Sequence, residues 1–414
     1  MNNKWARAAI PALLIHISVG TVYCWSIFKE SIAEEIGMSS FSVGWAFSLA
    51  IFFLGMSAAF SGRFVEKNIH KSSLISCLFF TSGMIGTGLS IMFLHGWVAL
   101  IGIYICYGVI MGIGLGIGYL TPVKTLMIWF SENKGLATGI SIMGFGLAKA
   151  IASPIMIFLQ NKYGIISMFL ILGIIYFILM FIGHLLLKKP DDWIEESNNI
   201  EKNSILLMFK NKEFLGIWLM FFINIHCGLM IISYEVQILN VTLISIIGLA
   251  TIINIIPSFT AIANAAGRIG YSTLSDRCKQ RNTIYKIIFS SCIICSILTV
   301  ITGAIDANTY FILGVLIIIY LLVINAGYGG GFSTLPALLS ERFGMKKISQ
   351  IHGLALSAWA VAGITGNNTS AIILNLSNNN YKMILLTTII LYFIALLICI
   401  FLVKNKGVNS GKNK

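Results

Sequence analysis

About twelve predominantly apolar stretches of roughly twenty residues or more recur along this chain, and their repetition constrains its fold more than any other feature. At 1.5 Å rise per residue each is long enough as a helix to cross a hydrocarbon core of about 30 Å. The stretches fall near residues 7–28, 42–62, 73–94, 98–129, 135–159, 165–187, 213–237, 245–273, 284–304, 308–336, 350–375 and 381–403. Composition agrees: 57% of the 414 residues are hydrophobic and 10% are charged, and the mean hydropathy is +0.89, outside the range of soluble domains of this size. The chain is therefore expected to be an all-α integral membrane protein with twelve transmembrane helices.

Orientation follows from the basic residues, because cytoplasmic loops carry the excess of Lys and Arg. One side of the spans holds Lys4, Arg7, Arg63, Lys67, Lys71, Lys134, the 188–212 segment, Arg277, Lys279, Arg281, Lys286, Arg342, Lys346, Lys347 and the tail from Lys404. The other holds Lys29, Lys162 and Lys382. Both termini are thus expected in the cytoplasm, with the chain a multi-pass protein of the cell membrane. The net charge of +13 is explained by this topology, so lipid headgroups rather than nucleic acid are the expected neighbours. No cleavable signal peptide is expected, and the eight cysteines read as small packing residues; even Cys292 and Cys295 lack a second ligand pair for a metal.

The polar segment 188–212 divides six spans from six, giving an N-terminal bundle over 1–187, a linker, a C-terminal bundle over 213–403 and a tail over 404–414. Internal repetition supports two pseudo-symmetric halves. GIGYLTPVKTLMIWFSENKGLATGI from Gly116 parallels GGFSTLPALLSERFGMKKISQIHGLALSA from Gly330, and GRFVEKNIHK from Gly62 parallels STLSDRCKQR from Ser272. Parallel repeats of this kind bind substrate between the halves near the midplane.

On these motifs the whole chain resembles the major facilitator superfamily, whose cytoplasmic loop motif has the Asp-Arg core seen in STLSDRCKQR. More narrowly, GTVYCWSIF (20–28), the run 112–130 with Tyr119, Pro122, Trp129 and Phe130, and KGLATGISIMGFG (134–146) resemble the oxalate:formate antiporter family. The resemblance implies a carrier of small carboxylates. It also implies that the loops bearing Gly62, Glu66, Asp276 and Arg277 hold the cytoplasmic side closed.

Arg268 is the residue most suggestive of chemistry. An always-ionised side chain within a span costs at least about 2.5 to 3.5 kcal/mol on lenient insertion scales. Two readings compete: the side chain snorkels to the nearby interface, or its guanidinium fork clamps a substrate carboxylate. Arg268 also coincides with the position at which the resembled family places its substrate arginine. That family's second cation, a lysine on the eleventh helix, is replaced here by Trp359, which favours a monocarboxylate such as formate, lactate or pyruvate over oxalate. Lys149, deep in the fifth span, complicates the argument, because it reads equally as a replacement second cation, a gate residue or a snorkelling lysine. Lys124 reads as an interfacial anchor.

Tyr23, Trp25, Tyr119, Phe145, Phe332 and Trp359 are the expected aromatic lining, since aromatic side chains enclose the carboxylate in the resembled family; lipid-facing or belt positions are the alternative. His16, His226 and Glu235 are candidates for proton coupling, with packing roles as the alternative for the histidines. Asn224, Asn254, Asn264 and Asn325 read as interhelical hydrogen-bonding groups. The glycines of GIYICYGVIMGIGLGIGY (102–119) are not a nucleotide motif, because no strand precedes them, and there is no Walker-type loop. No enzymatic activity, cofactor or metal is expected. The expected partners are a small organic anion, protons or a counter-anion, and membrane lipid, with the protein a monomer. A non-transporting solute sensor is the reading from a different class.

Overall fold

A computed structural model describes residues 3–191, 206–243, 253, 255–305 and 311–403. Much of the linker, the tail from Lys404, Asn254 and the start of the expected eighth span lie outside the described residues. The described chain folds into twelve long helices: α1 (Trp5–Ile36), α2 (Ser40–Lys67), α3 (Ile69–Phe93), α4 (Gly96–Trp129), α5 (134–163), α6 (165–186), α7 (Lys212–Ile232, continued by a short segment Glu235–Leu243), α8 (Ile256–Arg277), α9 (Asn282–Ile301), α10 (Phe311–Phe343), α11 (Ile348–Leu376) and α12 (Tyr381–Phe401).

Ten helical runs, among the described residues, are apolar and long enough to cross a membrane, and two physical details bring the count to the twelve expected. The run Lys134–Leu186 is two spans joined at Gly164, whose φ of 82° and ψ of 168° break the helix in a region that favours glycine. The twelfth span is α8, which its own polar residues, Arg268 among them, keep below the hydropathy of its neighbours. The expected seventh span also changes: the helix is interrupted at Ser233 and Tyr234 and restarts at Glu235.

Local chemistry explains many of the ends. Ser39, Asn211 and Asn380 each accept a backbone N–H of the first turn of α2, α7 and α12, the usual service of an N-cap side chain. Long apolar side chains such as Ile174, Ile178, Phe259, Ile262, Ile294 and Ile390 stay exposed around the outside, as a lipid-facing surface requires. The two halves meet mainly where α2 runs along α11 and α5 along α8. Small residues allow that approach, because at Gly55 and Gly353 a Cβ would run into Ala360 and the Ala58 carbonyl respectively.

Candidate functional site between the two halves

Arg268 lies nine residues before the end of α8, roughly 13 Å along the axis. That is deeper than the sequence suggested, because α8 continues to Arg277. Its side chain is 1% exposed, which rules out snorkelling. Nε donates to Asn264 Oδ1 at 2.9 Å, one turn earlier, and Nη1 donates to the carbonyl of Ile142 on α5 at 3.3 Å. The rings of Phe145 and Phe332 lie 5.8 and 5.3 Å from the guanidinium carbon, within cation–π range. The backbone under it is pinned as well: the Arg268 carbonyl accepts Ser272 Oγ from its own helix and Ser333 Oγ from α10, the latter at 2.6 Å.

No carboxylate pairs with Arg268 among the described residues. A guanidinium has five N–H donors, and the two bonds above use two of them. Arg268 also lines a cavity of about 260 Å³, smaller than the clefts of ~300 to 1,000 Å³ that take drug-sized ligands. Its wall draws Tyr23 and Trp25 from α1, Gly146 and Lys149 from α5, Glu235 from α7, Asn264 from α8, and Asn325 and Tyr328 from α10. Gly146 matters here because a Cβ would stand 2.9 Å from Arg268 Nε. The cavity can therefore offer a small anion a forked donor, a second cation and phenol hydroxyls, while aromatic faces limit water.

The expected aromatic residues separate into two layers. Tyr23 and Trp25 reach the cavity wall, and Tyr23 Oη meets Tyr328 Oη of the other half at 3.1 Å. Tyr119, Phe145, Phe332 and Trp359 do not line the cavity; they form a buried box around the arginine. Phe332 and Trp359 have ring centroids 4.6 Å apart, Phe145 and Trp359 5.6 Å, and Tyr119 and Phe145 5.4 Å. Trp359 is 1% exposed and packs its ring against Tyr119, Phe145 and Phe332. Packing also places Gly353 against the Ala58 carbonyl much as Gly139 lies against that of Arg268. This register, one turn displaced from the Gly-Leu-Ala match read in the sequence, makes Phe145 and Trp359 counterparts across the halves.

Among the proton-coupling candidates only Glu235 lines the cavity. It is 8% exposed, and its Oε1 has no hydrogen-bond partner among the described residues. His16 is fully buried with both ring nitrogens engaged: Nδ1 lies 2.7 Å from the Ser141 carbonyl oxygen and Nε2 3.0 Å from that of Tyr119. His226 packs at the α7–α11 contact, with Nδ1 2.9 Å from Thr365 Oγ1. Neither histidine lines the cavity. Lys149 lines the cavity and makes no ion pair among the described residues.

Away from the cavity, the terminus-bearing side is closed by two related clamps. Glu66, at the end of α2, pairs with Lys124 of α4, and its Oε2 accepts the Ser349 N–H at the start of α11 at 2.9 Å. Asp276, at the end of α8, accepts the N–H groups of Gly135 and Leu136 at the start of α5 at 2.9 and 2.8 Å. Each carboxylate caps a helix of the opposite half, where the helix dipole favours negative charge. Gly62 lets α2 close onto Gln350 and Ser349. Two expectations are corrected. Lys124 is 4% exposed and is a buried member of the first clamp, not an interfacial anchor. Arg277 is exposed and forms no ion pair among the described residues, whereas Arg281 meets Asp276 at 2.7 Å. The chain turns after the helix ends at Arg277, and Arg281 folds back over the carboxylate.

The cavity's rim residues Ser26 and Ser233 are exposed on the side away from the termini. A two-bundle helical protein sealed at one face and open toward the other, with a charged site between, has the architecture of an alternating-access carrier. The family model for the Major Facilitator Superfamily matches residues 12–367. The chain belongs to the Major Facilitator Superfamily. Its relatives include the oxalate:formate antiporter of Oxalobacter formigenes, 23% identical over 411 residues, covering 98% of this chain and 93% of that one. The MFS-type transporter YhjX of Escherichia coli (strain K12) is 22% identical over 362 residues, covering 86% and 85%. Among solved structures, a bacterial homologue of the iron transporter ferroportin in an outward-facing state matches with a TM-score of 0.73 at 11% identity, over 95% of this chain and 97% of that one. That likeness bears on the fold alone.

Tyr328, Asn264 and Arg281 were not singled out as functional by the sequence. Tyr328 had a usable signal, an aromatic residue inside the glycine run 327–331 of a cavity helix. Asn264, four residues before Arg268, stands on the same helical face, and that spacing was the available clue.

Proposed function

We propose that the protein is a secondary active carrier of a small organic anion of the monocarboxylate class, such as formate, lactate or pyruvate, with Arg268 as the carboxylate anchor. The observation that carries this reading is a guanidinium held rigid at Nε and Nη1, buried at a cavity between the halves, without a carboxylate partner among the described residues. An uncompensated buried charge is costly, and a substrate anion compensates it. The oxalate:formate antiporter relative supports the carboxylate class. The halves over 1–187 and 213–403 rock about the site, and the Glu66 and Asp276 clamps release as it opens to the terminus-bearing side. The distribution of Lys and Arg supports a cytoplasmic location for that side, in a multi-pass protein of the plasma membrane. The carrier works as a monomer, by antiport or proton symport.

A second reading, exchange of oxalate or another dicarboxylate, is favoured by one observation: Lys149 shares the cavity with Arg268, although Trp359 has removed the cation expected on α11. Uptake of labelled formate, lactate, pyruvate and oxalate into proteoliposomes tests both. Uptake of none of them would contradict the carboxylate reading, and binding without uptake would favour a sensor.

A further inference from the structure

The cavity holds three ionisable groups whose charges do not pair off. Arg268 and Lys149 bring two cations, and neither forms an ion pair among the described residues. Glu235 brings one carboxyl, buried on the same wall with Oε1 unpartnered among the described residues. Lys149, from α5, is close enough to act on Glu235 electrostatically, and Thr260 of α8 stands beside it. Arg268 of α8 and the phenols of Tyr23 on α1 and Tyr328 on α10 complete the charged and titratable groups of the wall. Glu235 restarts α7 immediately after its break, two residues past the exposed rim residue Ser233.

The site has a net charge of +1 when Glu235 is ionised and +2 when it is protonated. A buried site binds best the ligand that neutralises it. We propose that Glu235 sets the valence of the anion the carrier accepts: ionised, it offsets Lys149 and leaves Arg268 for a monocarboxylate; protonated, it frees both cations for a dicarboxylate. The inference rests on the carboxylate reading above and joins its two alternatives in one site. It also fixes the stoichiometry. A dicarboxylate enters with one proton on Glu235 and a monocarboxylate enters with none, so both cycles carry a charge of −1 with the substrate.

The test is uptake of labelled lactate and oxalate into proteoliposomes at about pH 5.5 and 7.5, where both probes stay fully ionised. For the unaltered protein the oxalate-to-lactate ratio is expected to rise about tenfold or more on acidification, the scale of one unit charge in a partly buried site. Glu235→Gln should hold the high ratio at both pH values, and Glu235→Asp should restore the pH response. Lys149→Met should lose oxalate uptake at both pH values and carry lactate better at pH 5.5 than at 7.5, because an ionised Glu235 then offsets Arg268. A ratio and pH response in Glu235→Gln equal to those of the unaltered protein would overturn the inference and leave the carboxylate reading standing. Uptake of none of formate, lactate, pyruvate and oxalate by the unaltered protein would overturn both. If Glu235→Gln does not fold, lumenal pH recorded during uptake by the unaltered protein decides: one proton per oxalate and none per lactate is expected, and equal proton movement with both would overturn it.

Discussion

At the scale of single residues, the sequence pointed to Arg268 through cost: a permanent charge in an apolar span needs a reason. It could not choose between snorkelling and binding, because that depends on which face of α8 meets α5 and α10. The Asn264 and Ile142 bonds fix the fork, so charge alone should not substitute for it. Arg268→Lys keeps the charge and loses the fork geometry; uptake efficiency is expected to fall about tenfold to a hundredfold, the value of one or two charge-assisted hydrogen bonds. Gly146→Ala keeps the arginine but sets a Cβ 2.9 Å from its Nε. It should weaken substrate binding measurably by thermal shift, while the apo protein retains its fold. Lys124 shows the converse limit. Near a helix end it read as an anchor, and only the fold reveals that Glu66, 58 positions earlier, is its partner.

At the scale of elements, hydropathy placed most spans within about five residues of their helices, but stopped well short of Ile36 in α1 and of Phe343 in α10. The described part of the eighth runs from Ile256 to Arg277, four residues past the expected end, and its expected start lies outside the described residues. The restart of α7 at Glu235 was invisible because an apolar run conceals a break that turn residues do not mark. The loop repeat was legible, since Gly62 and Glu66 align with Ser272 and Asp276. What the repeat does was not, because both carboxylates act on backbone N–H groups of the opposite half. Asp276→Asn removes the ionic part of two such bonds and the Arg281 pair. Each bond to a charged group contributes about 1.5 to 3 kcal/mol, so this variant should shift the resting population toward the state open on the terminus-bearing side. Spin-label distances between the starts of α5 and α11 and the ends of α8 and α2 would record the shift. Glu66→Gln should act in the same direction, and an unchanged distance distribution in both variants would mean that the clamps do not hold that face closed.

At the scale of the whole molecule, two halves of six helices with a site between them were expected from the repeats, and contacts closing the terminus-bearing face from the family resemblance; the opening toward the other face was not. The layering of the site was not. Tyr119, Phe145, Phe332 and Trp359 form a box around the arginine while Tyr23, Trp25 and Tyr328 face the ligand space, and nothing in a single sequence distinguishes the two layers. In the proposed cycle one small anion neutralises a fixed cation between rocking halves. Counterflow of labelled lactate in proteoliposomes, compared between the unaltered protein and Arg268→Lys, tests that claim most directly. The account expects uptake driven by unlabelled lumenal lactate in the unaltered protein and a loss of at least about tenfold in the variant. Equal counterflow in the two would contradict Arg268 as the carboxylate anchor.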